Sequence, residues 1–317
     1  MRIVVLGAGS VGMVFGGLLA EGGHHVALLG REQHMASIKE KGLLIQGIWG
    51  IHRVRNLCCY SSLYDLVKQE SSAFDVALLT VKAYDTDVIL QELRNLRMCL
   101  LTISLQNGLG NLEKVSAVMG SGRALAGSVL FGTEIQGPGN VLVAVYAEEV
   151  KIGGNDKVDY QRVIELADVF SRAGIPTLPT RDITRHIWGK VLYNCSLNGL
   201  AALLEVPYGV LGEHETGRIL VTRIVEEAFD VLKREQVQVD WPDAAAYCND
   251  LFGRLLPLTA DHFPSMLSDF QAGRRTEIDA LNGALVSRAK SYGLDMPVNW
   301  LVTKLVEVKE KRVRSEE

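Results

Sequence analysis

The chain has 317 residues and a net charge of −4, with 48% hydrophobic and 22% charged residues. That is the profile of an ordinary folded protein with room for two buried cores, and it gives no electrostatic reason to expect nucleic acid or an anionic membrane as partner. No apolar run reaches the length of a transmembrane helix and the opening lacks a signal-peptide layout, so a cytoplasmic location is expected. The five cysteines, Cys58, Cys59, Cys99, Cys195 and Cys248, show neither metal-ligand spacing nor a disulfide framework. Reduced thiols and no metal are therefore expected.

The first dozen residues carry the strongest signal. An apolar run suited to a buried strand, Ile3 to Leu6, leads into Gly7, Gly9 and Gly12, spaced G-x-G-x-x-G. The first glycine permits a tight turn, the second lets backbone approach a pyrophosphate, and the third lets a helix pack closely on the strand. The phosphates would sit at the start of that helix, at Ser10, Val11 and Gly12, where free N–H groups and the helix dipole favour an anion. The segment Val11 to Ala20, apolar with small residues at Gly16 and Gly17, supplies the helix.

Further along, Val26 to Leu29, Val76 to Val81 and Leu100 to Ser104 read as strands of βαβ units. Ala124 to Gly132 and Val141 to Ile152 read as two more, the latter antiparallel at an edge, with Gly137-Pro-Gly139 as the turn between them. The second strand ends Leu28-Leu-Gly-Arg31. An arginine in the place of the usual acid favours a ribose 2′-phosphate and hence NADP, although Glu32 beside it keeps NAD open and Arg31 could also be a solvated loop residue. Lys82 stands at the carboxyl end of a strand, where ligands of open α/β sheets collect, and is equally readable as a surface lysine. Gln106-Asn-Gly108 follows another strand, either as a polar cluster or as an ordinary Asn-Gly turn.

The texture changes near Arg181, after a junction at Pro176 to Thr184. Apolar residues now recur at helical spacing, as in Ile219 to Lys233 and Ile278 to Lys290. The fold class expected is α/β, with a Rossmann-type dinucleotide-binding domain over 1–180 and an all-helical domain over 181–317. The charged tail from Glu307 to Glu317 reads as a solvated, fraying helix end.

Within the second half, Lys190, Asn194 and Asn198 are spaced four apart and form one stripe on a helix, among Val191, Leu192, Leu197 and Leu200. Such groups are costly to bury unless a partner such as an oxygen-rich substrate pairs with them, while in water they are merely a polar face. In Ser265 to Asp279, helix breaks at Gly273, and Thr276 with Asp279 reads as a capping box opening the next helix, with Glu277 in its first turn.

Taken together, the glycine fingerprint, Thr80-Val-Lys-Ala-Tyr84, Gln106-Asn-Gly108, Trp188-Gly-Lys-Val-Leu-Tyr-Asn194, and Ser265-Met-Leu with Thr276-Glu-Ile-Asp279 resemble the ketopantoate reductase family nearly end to end. The resemblance implies NADPH and a 2-oxo acid in a cleft between a Rossmann and a helical domain, and reduction of 2-dehydropantoate to (R)-pantoate for pantothenate biosynthesis. It implies Lys190 as the catalytic lysine and Glu277 as the acid that helps hold the substrate. Asn194, Asn198 and Ser265 fall on substrate-contacting positions, Asn107 on one near both nicotinamide and substrate, and Arg31 and Lys82 on basic residues that bind the cofactor. Asp85 departs from the glutamine of other members near the 2′-phosphate, which weakens the preference for NADPH. A reductase of another 2-oxo acid and a non-catalytic NADP(H) sensor are the alternatives, and a homodimer is left open.

Overall fold

The computed structural model describes residues 1–96 and 99–315. The chain divides into two compact units, residues 1–106 with 111–183, and residues 107–110 with 184–317.

In the first unit lie strands β1 (Arg2–Leu6), β2 (His25–Leu29), β3 (Leu43–Gly47), β4 (His52–Val54), β5 (Leu57–Tyr60), β6 (Phe74–Leu79), β7 (Cys99–Ser104), β8 (Ala124–Ser128), β9 (Phe131–Gly137), β10 (Asn140–Tyr146), β11 (Val150–Gly154) and β12 (Thr177–Pro179). Eight of them form one sheet, ordered β12-β11-β8-β7-β6-β1-β2-β5. Only β8 and β11 pair antiparallel there; the other pairs are parallel. Side chains Ile3 to Leu6 are at most 1% exposed, as a central parallel strand covered on both faces requires. Helices α1 (Ser10–Glu21), α2 (Glu32–Lys41), α3 (Leu63–Gln69), α4 (Thr86–Leu96), α5 (Asn111–Met119) and α6 (Tyr160–Arg172) complete the unit. Because β1 lies between β2 and β6, the order in which strands are added to the sheet reverses at β1, and the carboxyl ends of β1 and β6 form the switch point where open α/β sheets bind ligands.

Two expected strands are each two strands in different sheets. Ala124 to Gly132 divides into β8, in the large sheet, and β9, in a four-stranded sheet ordered β4-β3-β10-β9. Val141 to Ile152 divides likewise at the exposed Ala147 and Glu148 into β10 and β11. A continuous apolar run records burial, not which sheet buries it. The Gly137–Gly139 turn does join β9 to antiparallel β10, with Gly137 and Gly139 both at positive φ. The junction expected over Pro176 to Thr184 contains β12, which pairs with β11 through Val150 to Ile152.

Among its described residues the second unit contains no strand. Its helices are α7 (Ile183–Leu204), α8 (Tyr208–Glu213), α9 (Glu215–Glu235), α10 (Ala244–Asp250), α11 (Ser265–Gln271), α12 (Asn282–Ser291) and α13 (Pro297–Ser315). Helix α7 is apolar on most sides, with Trp188, Val191, Leu192, Cys195, Leu197 and Ala201 all buried, as suits a helix enclosed by others. The helix expected over Ile278 to Lys290 begins late. Leu281 takes a non-helical backbone, so a single 3₁₀ turn over Ile278–Ala280 precedes α12. No helix among the described residues is long and apolar enough to cross a membrane.

Candidate active site

In the first unit the glycine turn is shaped by close packing. Gly7 has φ +111°, and a Cβ there would stand 2.4 Å from the Val81 backbone nitrogen. A Cβ on Gly12 would meet the Gly7 carbonyl at 2.2 Å and Thr80 Oγ1 at 2.7 Å. Gly9 differs, since a Cβ there would meet nothing within 4 Å. Two glycines are thus required by the protein's own packing, while the third keeps open the space that a pyrophosphate needs. Thr80 at the end of β6 locks the turn, its hydroxyl donating to the Gly7 carbonyl at 2.7 Å and to Leu6 at 3.2 Å.

No side chain caps α1 at Gly9, and its first turn carries no acid. The first-turn amides of Ser10, Val11 and Gly12 have no acceptor within the helix, and they offer an anion site of the kind a dinucleotide phosphate uses. Arg31 is exposed and begins α2 at the carboxyl end of β2. Lys82 opens the 3₁₀ turn Ala83–Asp85 after β6, and Asp85 is exposed. Among the described residues these groups gather at the carboxyl edge of the large sheet, and they fit a dinucleotide there.

The second unit assembles the other polar residues. Helix α7 presents Lys190, Asn194 and Asn198 along one stripe. Glu277 is 8% exposed at the start of the 3₁₀ turn, and Asn107 Nδ2 donates to its Oε2 at 3.4 Å. Asn107 reaches this group because residues 107–110, although they follow β7, pack with the second unit. Gly108 (φ +89°) makes that approach feasible, since a Cβ would lie 2.2 Å from the Ala280 carbonyl oxygen, and Leu109 N donates to the same oxygen at 2.8 Å.

Burial pulls the Lys190 ammonium down from 10.5 to about 8, while the charge of Glu277 opposes that fall. A lysine lowered in this way can exchange a proton near neutral pH, and the charge of Glu277 favours its ammonium form. Asn198 is 4% exposed and occupied on both sides: Nδ2 donates to Ser265 Oγ at 3.1 Å and Oδ1 accepts from Met266 N at 3.2 Å. It ties α7 to the first turn of α11 and fixes Ser265, which is exposed. Asn194, one turn nearer Lys190, is half-buried.

The capping-box expectation for Thr276 and Asp279 is corrected. Asp279 pairs with Arg275 at 2.6 Å instead. Thr276 Oγ1 accepts from Ile278 N at 3.3 Å but is held by Glu310, which accepts from both its N–H and its hydroxyl. The helix expected for the tail is present, since α13 runs to Ser315 with Lys311, Arg312 and Arg314 exposed, but it is not solvated throughout: Glu310 is buried and Lys309 is bonded, while Glu316 and Glu317 lie outside the described residues. Sequence reasoning also passed over a nest around Glu70 of the first unit, which accepts from Tyr60 Oη at 2.9 Å and contacts Arg2 and His25, with Cys58 nearby. Its donor atoms could hold a metal, but the Arg2 guanidinium already sets a positive charge on the carboxylate. Cys58, Cys59, Cys195 and Cys248 are free thiols.

A doubly wound dinucleotide fold, joined to a helical unit in which a half-buried lysine feels the charge of a buried carboxylate, has the parts of a nicotinamide-dependent reductase. Residues 3–157 match the family model for ketopantoate reductase PanE/ApbA, and residues 182–310 match that for its C-terminal part. A 2-dehydropantoate 2-reductase of Aquifex aeolicus is 35% identical over 315 residues, covering 98% of this chain and 97% of its own. A PanE/ApbA family ketopantoate reductase from Ralstonia eutropha JMP134 superimposes with a TM-score of 0.86 at 29% identity, covering 99% of this chain and 100% of that one. A D-mandelate dehydrogenase solved with NADH and anilino(oxo)acetate gives the same TM-score at 27% identity, covering 99% of each chain. The chain belongs to the ketopantoate reductase family and is an oxidoreductase dependent on a nicotinamide dinucleotide.

Proposed function

We propose that the enzyme reduces 2-dehydropantoate to (R)-pantoate with NADPH, in pantothenate biosynthesis, with Lys190 as the general acid. The observation that carries this reading is the Lys190–Glu277–Asn107 group, in which burial brings a lysine to about 8 beside a carboxylate. The nicotinamide, when bound, supplies a hydride to the ketone carbon. Negative charge then builds on the carbonyl oxygen, and the Lys190 ammonium stabilises it and donates the proton. Glu277 keeps Lys190 charged, and Asn107 orients Glu277. Asn194 and Ser265 suit the carboxylate and hydroxyl of the substrate, with Asn198 contributing through its bond to Ser265. Arg31 and Lys82 serve the dinucleotide, Arg31 by pairing with a 2′-phosphate.

A second reading is supported by the D-mandelate dehydrogenase likeness and by Glu32 and Asp85 next to the proposed phosphate residues: NADH-linked turnover of a different 2-oxo acid. The test is loss of reduced-cofactor absorbance with 2-dehydropantoate and phenylglyoxylate, each with NADPH and NADH. A kcat/KM for NADPH and 2-dehydropantoate well above the other three pairs is expected. A higher value for NADH with phenylglyoxylate would replace the first reading with the second, and no turnover of any pair would remove both.

A further inference from the structure

We propose that Glu310 is a positioning residue for the reaction: through Thr276 it fixes the turn that carries Glu277, and thereby sets that carboxylate against Lys190. This rests on the reading of Lys190 as the acid. Glu310 lies in the run Lys309-Glu-Lys-Arg312, whose composition suits solvent, yet it is only 8% exposed. A carboxylate is buried at high cost unless donors meet it. Two do, both from Thr276, which is itself 1% exposed: its N–H at 2.8 Å and its hydroxyl. The same hydroxyl accepts from Ile278 N, so the residues on both sides of Glu277 are tied to α13.

Helix α13 is a fixed anchor. Glu227 of α9 accepts from Val298 N and Asn299 N, both at 2.9 Å, and so caps its start. Lys309 donates to the Ala202 and Leu203 carbonyls, at 2.9 and 3.2 Å, in the last turn of α7, and pairs with Glu205 at 2.9 Å. Adjacent residues of one helix therefore clasp the helix that bears Lys190 and the turn that bears Glu277. Because Glu277 is the charge that holds Lys190 up against burial, loosening the turn acts on the lysine.

The test uses the full-length enzyme with Glu310→Ala, Thr276→Val and Thr276→Ser, and with Val306→Ala as a matched loss of core packing in α13. In Glu310→Ala, hydrogen exchange of a peptide spanning residues 272–281 should quicken about tenfold and kcat fall by a similar factor, as loss of a charge-assisted bond to a buried group implies. Affinity for NADPH should stay unchanged, and the alkaline limb of kcat should move to lower pH. Thr276→Val should reproduce this, Thr276→Ser should restore it, and Val306→Ala should lower thermal stability with the limb unmoved. Unchanged exchange in Glu310→Ala overturns the proposal, and so does faster exchange with the wild-type limb. If the limb survives in Lys190→Ala, the reading of Lys190 has failed, and the exchange measurement alone decides whether Glu310 fixes the turn.

Discussion

The sharpest consequence of the site is a pH dependence set by Lys190. An unperturbed lysine near 10.5 would stay charged through pH 9, and the rate would be flat there. Burial brings Lys190 to about 8, so the ammonium is nearly complete at pH 7 and about nine-tenths lost by pH 9. Only the charged form can donate the proton, so the hydride-transfer rate should fall roughly tenfold between pH 7 and pH 9. Glu277 opposes the shift; Glu277→Gln should therefore move the limb to still lower pH. Lys190→Ala should lower the rate by about 10²–10⁴, the usual contribution of a positioned acid, and should abolish the limb. The glycine turn belongs to the other unit, so this variant should still bind NADPH. The assay is single-turnover oxidation of saturating NADPH by 2-dehydropantoate across pH 6 to 10. A rate flat to pH 9, or a limb retained in Lys190→Ala, would refute the assignment.

Three further outcomes follow from the geometry. Gly9→Ala should melt like the wild type but lose dinucleotide affinity, because its methyl meets only open space, whereas Gly12→Ala should lower the melting temperature through its clash with Gly7; thermal scans with and without NADPH separate the two. Arg31→Ala should weaken NADPH by about 10- to 100-fold, the range for a lost charge-assisted bond, and leave NADH nearly unmoved; equal losses in a fluorescence titration would remove the phosphate role. Asn198→Ala should cost about 1–3 kcal/mol of stability by orphaning the Ser265 and Met266 contacts, while Asn194→Ala should raise KM for the substrate with stability unchanged; denaturant curves beside steady-state kinetics test both.

Features governed by local sterics were legible in the sequence. Gly7 and Gly12 are dictated by a turn and its immediate packing, Gly9 is marked by its spacing between them, and the stripe Lys190, Asn194, Asn198 is set by the helical repeat itself. Features that depend on distant partners were not. Strands β3 and β4 are brief, and β3 is completed by β10, whose Asn140–Val143 pair with Leu44–Gly47 nearly a hundred residues away. Glu310 has the local sequence of a solvated tail, and only the fold brings Thr276 to it. Asn107 was legible as the residue after a strand, but not as a member of the helical unit. That membership depends on Gly108 and Ala280, which share no sequence pattern.

The two substrate readings differ in where they would be written in the chain. Both require a proton for a ketone oxygen, and both place that duty on Lys190 with Glu277 and Asn107, whose mutual bond and charge do not depend on the rest of the substrate. Choice of cofactor would be written on exposed residues, Arg31, Glu32 and Asp85, whose replacement disturbs little of the packed core. Choice of 2-oxo acid would be written on Asn194 and Ser265, the half-buried and exposed members of the group, while Asn198 is committed to holding α11. On these readings chemistry would sit on Lys190, Glu277 and Asn107, drawn from three separate segments of the chain, and specificity on Asn194, Ser265 and the exposed loop residues. A scaffold divided in this way can pass between substrates and between NADPH and NADH with its proton donor untouched, as expected where a ketopantoate reductase and a D-mandelate dehydrogenase match one chain equally well in shape.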